Sequence, residues 1–503
     1  MNNTISNPNV YLFYFYLQKQ IKNEHQIWQK GNEILLNCKH KIDDFDTNIK
    51  DDKGFEYTQI NSLLDFKEKP SNIPVDLVQS NCLEPKVDRV TFKGKFTDKI
   101  TNNQLSIDGF VYPLQIHDSY CLCFNLGCPD EPAQNIEDIN LLEKFKIAKS
   151  LKLEDDDNFL GETLLITAHL PDKLTEKYRD ENEIKHDIRT LADKCCNILL
   201  KPESTSPFHH AGELFGSPIF EYGLINREID IYPHVIVWLF KDKEADKKFE
   251  IYEREIIDLF LYRHKLIKAF QDSYKVYKKL EKQYQQIQNY IDDFENKSNN
   301  HLVEDDLNNF QNKLKELPKK ALEYTRWLNV LQDYQNTIVL NTHNYNEKLE
   351  QIRSTEIETN LRFLETFSKK NCLTFLEQIK GDLNYFVPSA RLFDNTIAAI
   401  RALVAIEQAR IEKEKLNVEE KVQNTIESVG VGIGVGFGVG GLFSSNYSLI
   451  EKPWQLPSSK HPFLPPHPFV AAFSSSLVLG VGLGLLSWWC TKSYLDKKRL
   501  KNN

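Results

Sequence analysis

Four side chains with metal-binding chemistry lie close together in the sequence: His117, Cys121, Cys123 and Cys128. An imidazole and three thiolates can hold zinc, but the spacing matches no zinc motif, and two cysteines two apart on a strand share one face. They read as small core thiols. His209 and His210, followed by Glu213, lack the HExxH spacing that sets two imidazoles and a base on one helix face, and they read as loop histidines. The run 154–157, EDDD, has the oxygens for a hard cation and equally suits a solvated acidic turn. No Walker loop or GxSxG occurs. No enzyme is expected, and no metal site or cofactor is identified.

These residues sit in a mixed region, 1–240. Runs rich in β-branched and aromatic residues at 10–17, 87–96, 105–114, 119–126, 160–170 and 234–240 predict strands. Helical spacing appears at 136–150 and 181–200, where Ile188, Leu191, Cys195 and Leu199 share a face. Residues 41–81 read as a loop-rich insertion. The expected fold is an α/β or α+β N-terminal cytosolic domain.

From Lys241 the pattern changes. Tyr252, Ile256, Leu259, Arg263, Leu266, Phe270, Ser273, Tyr277, Leu280, Tyr284, Ile287, Ile291 and Phe294 step by alternating fours and threes, a heptad seam that only Arg263 and Ser273 interrupt. A second seam runs from Leu307 to Ile352, with Pro318 expected to kink it. The linker 297–304 makes the two helices an antiparallel hairpin. A third helix over 356–383 should stop before Pro388, closing a helical domain at 241–388. Residues 389–427 hold neither Gly nor Pro and predict a stalk helix.

The C-terminal part is apolar. Residues 428–443 read SVGVGIGVGFGVGGLF, and 469–490 are 22 residues without a charge. The second is long enough to cross a bilayer and the first reaches the roughly 20 residues needed when extended to Tyr447, which predicts a two-helix transmembrane hairpin at 428–490 (spans 428–447 and 469–490) before a basic tail, 491–503. Gly430, Gly434 and Gly438, and Gly432, Gly436 and Gly440, form two small-residue ladders, with Gly480 and Gly484 as a matching notch. Such grooves suit helix packing or a ring of helices around a pore. Glu427 at the span's start and Glu451 in the connecting loop are candidate pore-mouth charges. Basic residues at both ends predict an inner-membrane protein with both termini cytoplasmic.

The chain has 503 residues and a net charge of −9, which argues against a nucleic-acid partner. Nine cysteines without a regular framework suit a reducing compartment.

In element order, a mixed domain, a helical hairpin, a long helix continuing into a span, a short loop, a second span and a lysine-rich end, the chain resembles the CorA-type metal-ion transporters. The resemblance implies a homo-oligomer, a pentamer first, in the lipid bilayer, with a divalent cation as permeant ion. The family's Gly-Met-Asn signature is absent, because the only methionine is Met1. Alternatives are a membrane effector triggered by a cytosolic ligand, related to the CorA-like CRISPR effectors, and a non-conducting coiled-coil scaffold.

Overall fold

The computed structural model describes residues 4–18, 24–50, 60–64, 74–97, 104–129, 137–146, 158–171, 174, 182–200, 206–227, 233–298, 304–355 and 360–416. Its spatial division gives two units, one formed by 1–275 and 333–380 and the other by 276–332 and 381–503.

The first unit is built on an 11-stranded sheet. Its strands are β1 (Thr4–Leu17), β2 (Asp43–Thr47), β3 (Val75–Asp76), β4 (Val90–Thr97), β5 (Gln104–Ile116), β6 (Ser119–Gly127), β7 (Glu137–Asp138), β8 (Phe159–His169), β9 (Phe208–Leu214), β10 (Ser217–Tyr222) and β11 (His234–Phe240). The order is β2-β4-β5-β6-β1-β8-β11-β10-β9, with β3 on β5 and β7 on β1. Pairs are antiparallel except β8 with β11.

β1 is the central strand, and its alternation is apolar on both sides. Leu12, Tyr14 and Tyr16 join a core with α1 (Glu24–Lys41) and α2 (Asn182–Leu199) through Trp28, Leu35, Ile188 and Cys195. Tyr11, Phe13 and Phe15 point the other way, where Phe249 of α3 (Lys243–Ile251) meets Tyr11 at 5.1 Å between ring centres. On the same side Phe260 of α4 (Glu253–Ser298) meets Phe13 at 5.3 Å. A strand covered on both faces needs apolar residues at every position, as 10–16 supply.

The long helices follow the seams. α4 and α5 (Glu304–Thr355) bury one stripe each: Leu259, Leu266 and Leu280 on α4, and Leu317, Leu331 and Ile338 on α5, are all 0% exposed. Their pairing is antiparallel. In the first unit Lys348 meets Asp258 at 2.8 Å and Thr355 meets the Tyr252 hydroxyl at 2.7 Å. In the second unit Lys320 reaches Gln286 at 3.1 Å, and the Lys279 ammonium lies 3.9 Å from the Trp327 ring centre.

Several expectations are corrected. Of the helix expected at 136–150, the described residues 137–146 form β7 and a 3-10 turn, Ile139–Glu143, where the Asp138 carboxylate accepts the Asn140 N–H at 2.9 Å and Ile139 and Leu142 enter the core. Within 41–81, β2, β3 and the turn Ile60–Leu63 place Ile60, Leu63, Leu77 and Val78 in the core, so the segment is more than a loop-rich insertion. The helix expected at 356–383 is α6 (Arg362–Thr366), a π-helical turn (Phe367–Cys372) and the start of α7 (Leu373–Leu416). Pro388 does not stop α7: Phe386 and Phe393 are buried on either side, and the Tyr324 hydroxyl donates to the Phe386 carbonyl at 3.0 Å. Residues 417–427 of the expected stalk lie outside the described residues.

The inner-membrane reading with two spans, and the channel built on it, is also corrected: among the described residues no helix is long and apolar enough to cross a membrane. α4 and α5 have the length, but only a stripe of each is apolar. The runs 428–447 and 469–490, the ladder glycines Gly430 to Gly440, Gly480, Gly484, and the charges Glu427 and Glu451 lie outside the described residues.

The burial contrast sets a first expectation. Leu266→Ala, at a fully buried seam position, should cost about 2–5 kcal/mol in urea denaturation, whereas Leu340→Ala, 60% exposed on α5, should stay within about 0.5 kcal/mol. Equal effects would mean the seam is not the core.

Candidate functional site

β1 does not run straight at its N-terminal end. Its register against β8 slips between Ser6 and Asn9, and Asn7 takes φ 45°, a left-handed conformation that asparagine tolerates better than most residues. This bulge opens onto a cavity of about 530 Å³. It lies beside His169 and Phe240, the carboxyl ends of the one parallel pair among the described strands, where α/β sheets commonly receive ligands.

The wall is aromatic: Tyr11, Phe92, Phe110 and Phe240 line it. Three asparagines, Asn7, Asn9 and Asn125, supply amides, with Asn125 Nδ2 donating to Asn9 Oδ1 at 3.3 Å. Gly109 belongs to the lining because nothing larger fits: a Cβ there would stand 2.3 Å from the Asn125 carbonyl oxygen. Five carboxylates, from Asp46, Glu84, Asp108, Asp246 and Glu250, face two nitrogen groups, Lys93 and His169. Asp246 and Glu250 stand one turn apart on α3, whose other face buries Ala245 and Phe249. Burial raises the Tyr11 phenol well above its ordinary value, and Glu253, Asp246 and Asp108 add to the rise. The phenol stays neutral, in a negative field.

Phe110 also belongs to an ion network. The Arg89 guanidinium lies 4.6 Å from its ring centre and 4.1 Å from that of Tyr112. Arg89 donates to both oxygens of Glu253, at 3.0 and 2.8 Å, and to Asp88 at 2.9 Å. The next residue, Arg254, donates to Asp76 at 2.6 Å and to the Tyr112 hydroxyl at 2.8 Å. Two adjacent residues in the first turn of α4 are thereby tied to β3, β5 and the residues before β4.

A second polar cluster lies deeper. Arg263 of α4 donates to Glu221 of β10 at 2.7 Å. Glu221 also takes the Nε2 proton of His234, at 3.1 Å, which makes Nδ1 the acceptor for the Thr163 hydroxyl at 2.8 Å. Thr163 in turn accepts from His264 Nε2 at 2.7 Å. Carboxylate, imidazole and hydroxyl stand in the order of a nucleophile relay. Thr163 is fully buried, however, and its oxygen is already occupied by His264, so the cluster is a structural tie. Gly161, at φ 153°, makes room for it, since a Cβ there would fall 2.2 Å from His264 Nδ1.

Burial would raise the Glu221 carboxyl, yet Arg263 and then His234 hold it below the ordinary carboxylate range. Burial and Arg263 push His234 down to about 4, against the pull of Glu221, and burial, then Arg263, hold His264 well below its ordinary value.

The residues proposed from sequence are placed apart. Cys121 and Cys123 are buried thiols on one face of β6, both pushed well above their ordinary value by burial, while Cys128 packs on the opposite side of the sheet and His117 Nε2 meets the Tyr262 hydroxyl at 2.9 Å. His209, His210 and Glu213 belong to β9 rather than a loop, with His210 stacked on Phe363 at 5.4 Å. Residues 154–157 lie outside the described residues. Among the described residues, no group of three or more His, Cys, Asp or Glu could hold a metal ion. The cavity went unread because its residues are scattered from Asn7 to Glu250. Arg263, a charge on an apolar seam, was the one visible signal of the buried cluster.

The cluster makes stability depend on pH with a definite sign. The native His234, near 4, binds fewer protons than the unfolded one near 6.5, so its contribution is complete above about 6.5 and is lost as pH falls towards 4. Glu221 adds loss in the same direction below the ordinary carboxylate value. Unfolding free energies from urea curves should be flat above about pH 6.5 and fall below it, towards pH 4.5, with a slope of up to about 1.4 kcal/mol per pH unit for each neutral buried histidine. His234→Gln should remove one histidine's share, and an unchanged slope would contradict a neutral His234.

The chain matches no family model, no curated protein and no solved structure.

Proposed function

We propose that the first unit is a ligand-responsive regulatory module, in which a small molecule in the cavity at the β1 bulge changes how the first turn of α4 is held. One observation carries this reading: Phe110 is both cavity wall and the platform under Arg89, and Arg89 grips Glu253 with two parallel hydrogen bonds. Anything that shifts the ring shifts the guanidinium. A second route has the same end, since α3 lends Asp246 and Glu250 to the cavity and is joined to α4 through Tyr252 alone.

The cavity supports binding because its size falls in the range that encloses a small molecule and its wall combines flat apolar rings with a few polar groups. Coupling of such a site to a helix anchor is typically about 1–3 kcal/mol, enough to shift an equilibrium 5- to 150-fold. The bidentate geometry gives Arg89 a role that lysine cannot fill.

A fragment library screened against the full chain by ligand-observed NMR, followed by hydrogen exchange, tests the module. Fragments displaced by mutual competition should alter amide exchange at 253–258. In Arg89→Lys they should still bind, within about threefold, but with the exchange response reduced. Fragments that bind without any response at 253–258 in the unaltered protein would remove the coupling, and a cavity that takes no fragment would remove the module.

A further inference from the structure

We infer that the cavity selects a small organic cation, a protonated amine or amidine carried on a flat apolar body. This deepens the regulatory reading above and rests on the cavity being a ligand site.

The charge of the lining points one way. Five carboxylates come from separate parts of the chain, whereas among the described lining residues there is no arginine and a single lysine. That lysine, Lys93, is engaged with Asp46 at 3.4 Å, and both side chains are mostly exposed, so the pair belongs to the rim. A phosphate or carboxylate ligand would meet a repulsive entrance and no guanidinium to grip it.

The two carboxylates on α3 are placed differently. Asp246 lies in the first turn, where the backbone dipole favours it and His169 Nε2 meets it at 3.3 Å, whereas Glu250 lies next to the helix's last residue, where the dipole is already negative. The two are like charges at i and i+4, and a cation in front of Glu250 would relieve that repulsion. Burial raises the Tyr11 phenol first, and Glu253, Asp246 and Asp108 add smaller shares, so two of the lining carboxylates act on this wall.

The rings complete the recognition. Tyr11, Phe110 and Phe240 offer rings whose quadrupoles attract a cation and whose area covers a flat apolar body. The asparagine amides can accept ammonium hydrogens as readily as they accept neutral donors. Carboxylates at the rim, rings along the wall and amides between them make a cation site that needs no metal.

Three probes of one shape and different charge test the inference on the full chain: benzylamine, benzyl alcohol and benzoate, titrated by saturation-transfer NMR at about 50 mM salt. Benzylamine should bind about tenfold tighter than benzoate, with benzyl alcohol between them, and the spread should narrow as salt rises. In Asp246→Asn with Glu250→Gln the amine should fall to within about twofold of the alcohol while the alcohol is unaffected. Asp108→Asn, on a different element, should reduce the amine's advantage by itself if the α3 variant folds poorly. Benzoate or the alcohol binding as well as the amine would overturn charge selection and leave the site. An amine preference untouched by all three substitutions would place the cation elsewhere and overturn it too. Failure of all three probes to bind would overturn the regulatory module together with this inference.

Discussion

A carboxylate enclosed by a sheet remains ionised only if a cation reaches it, and Glu221 receives its cation from a helix on the sheet's face. The Arg263–Glu221 contact is the one point where α4 must be in register with β10. Breaking a buried pair from one side costs about 3–5 kcal/mol, because the partner is left charged and alone. A heptad seam by itself is degenerate, since sliding a helix by seven residues replaces apolar side chains with apolar side chains. Arg263 removes that degeneracy: one heptad either way would set Ile256 or Phe270 against the carboxylate. His234, neutral, donates to the same carboxylate and is held in turn through Thr163 by His264.

The cavity depends on the same register. Once α4 is fixed at Arg263, its first turn falls beside Arg89, and α3 is left to lie over Tyr11 and Trp238, with Phe249 between them at 5.1 and 5.6 Å. The face of α3 that carries Asp246 and Glu250 then has one direction left, towards the bulged end of β1. Carboxylates in that position are a consequence of the anchor and do not stabilise it.

This hierarchy explains what the sequence disclosed and what it withheld. Strands covered on both sides, such as β1, β6 and β11, announce themselves by unbroken apolar runs, and the seams of α4 and α5 by their alternating steps. β9 was missed because its histidines are only half-buried and imitate a loop, and β10 because six residues opening on Ser-Pro make too short a run to announce a buried strand. α1 was missed because its buried stripe, Ile27, Leu35 and Cys38 among others, is diluted by charged and amide residues on the open face. Pro388 misled for the opposite reason: a local rule against proline was overridden by the packing of Phe386 and Phe393. Asn9 and Asn125 are 116 residues apart and meet only because β1 lies against β6, so no local pattern could have named their cavity.

The junction between α3 and α4 shows why the anchor and the cavity can communicate without a large rearrangement. Tyr252 separates the two helices with φ −101° and ψ 17°, outside the helical range, so the chain turns there over a single residue. Its hydroxyl is held by Thr355 at 2.7 Å, which fixes the outer side of the turn to α5. On the inner side the next two residues carry the whole ion network, Glu253 to Arg89 and Arg254 to Asp76. A turn fixed at one point and held by charges at two others has few ways to relax. A shift of α3 over the cavity is therefore met at Glu253, where two hydrogen bonds to one planar guanidinium tolerate little change of angle before one of them is lost.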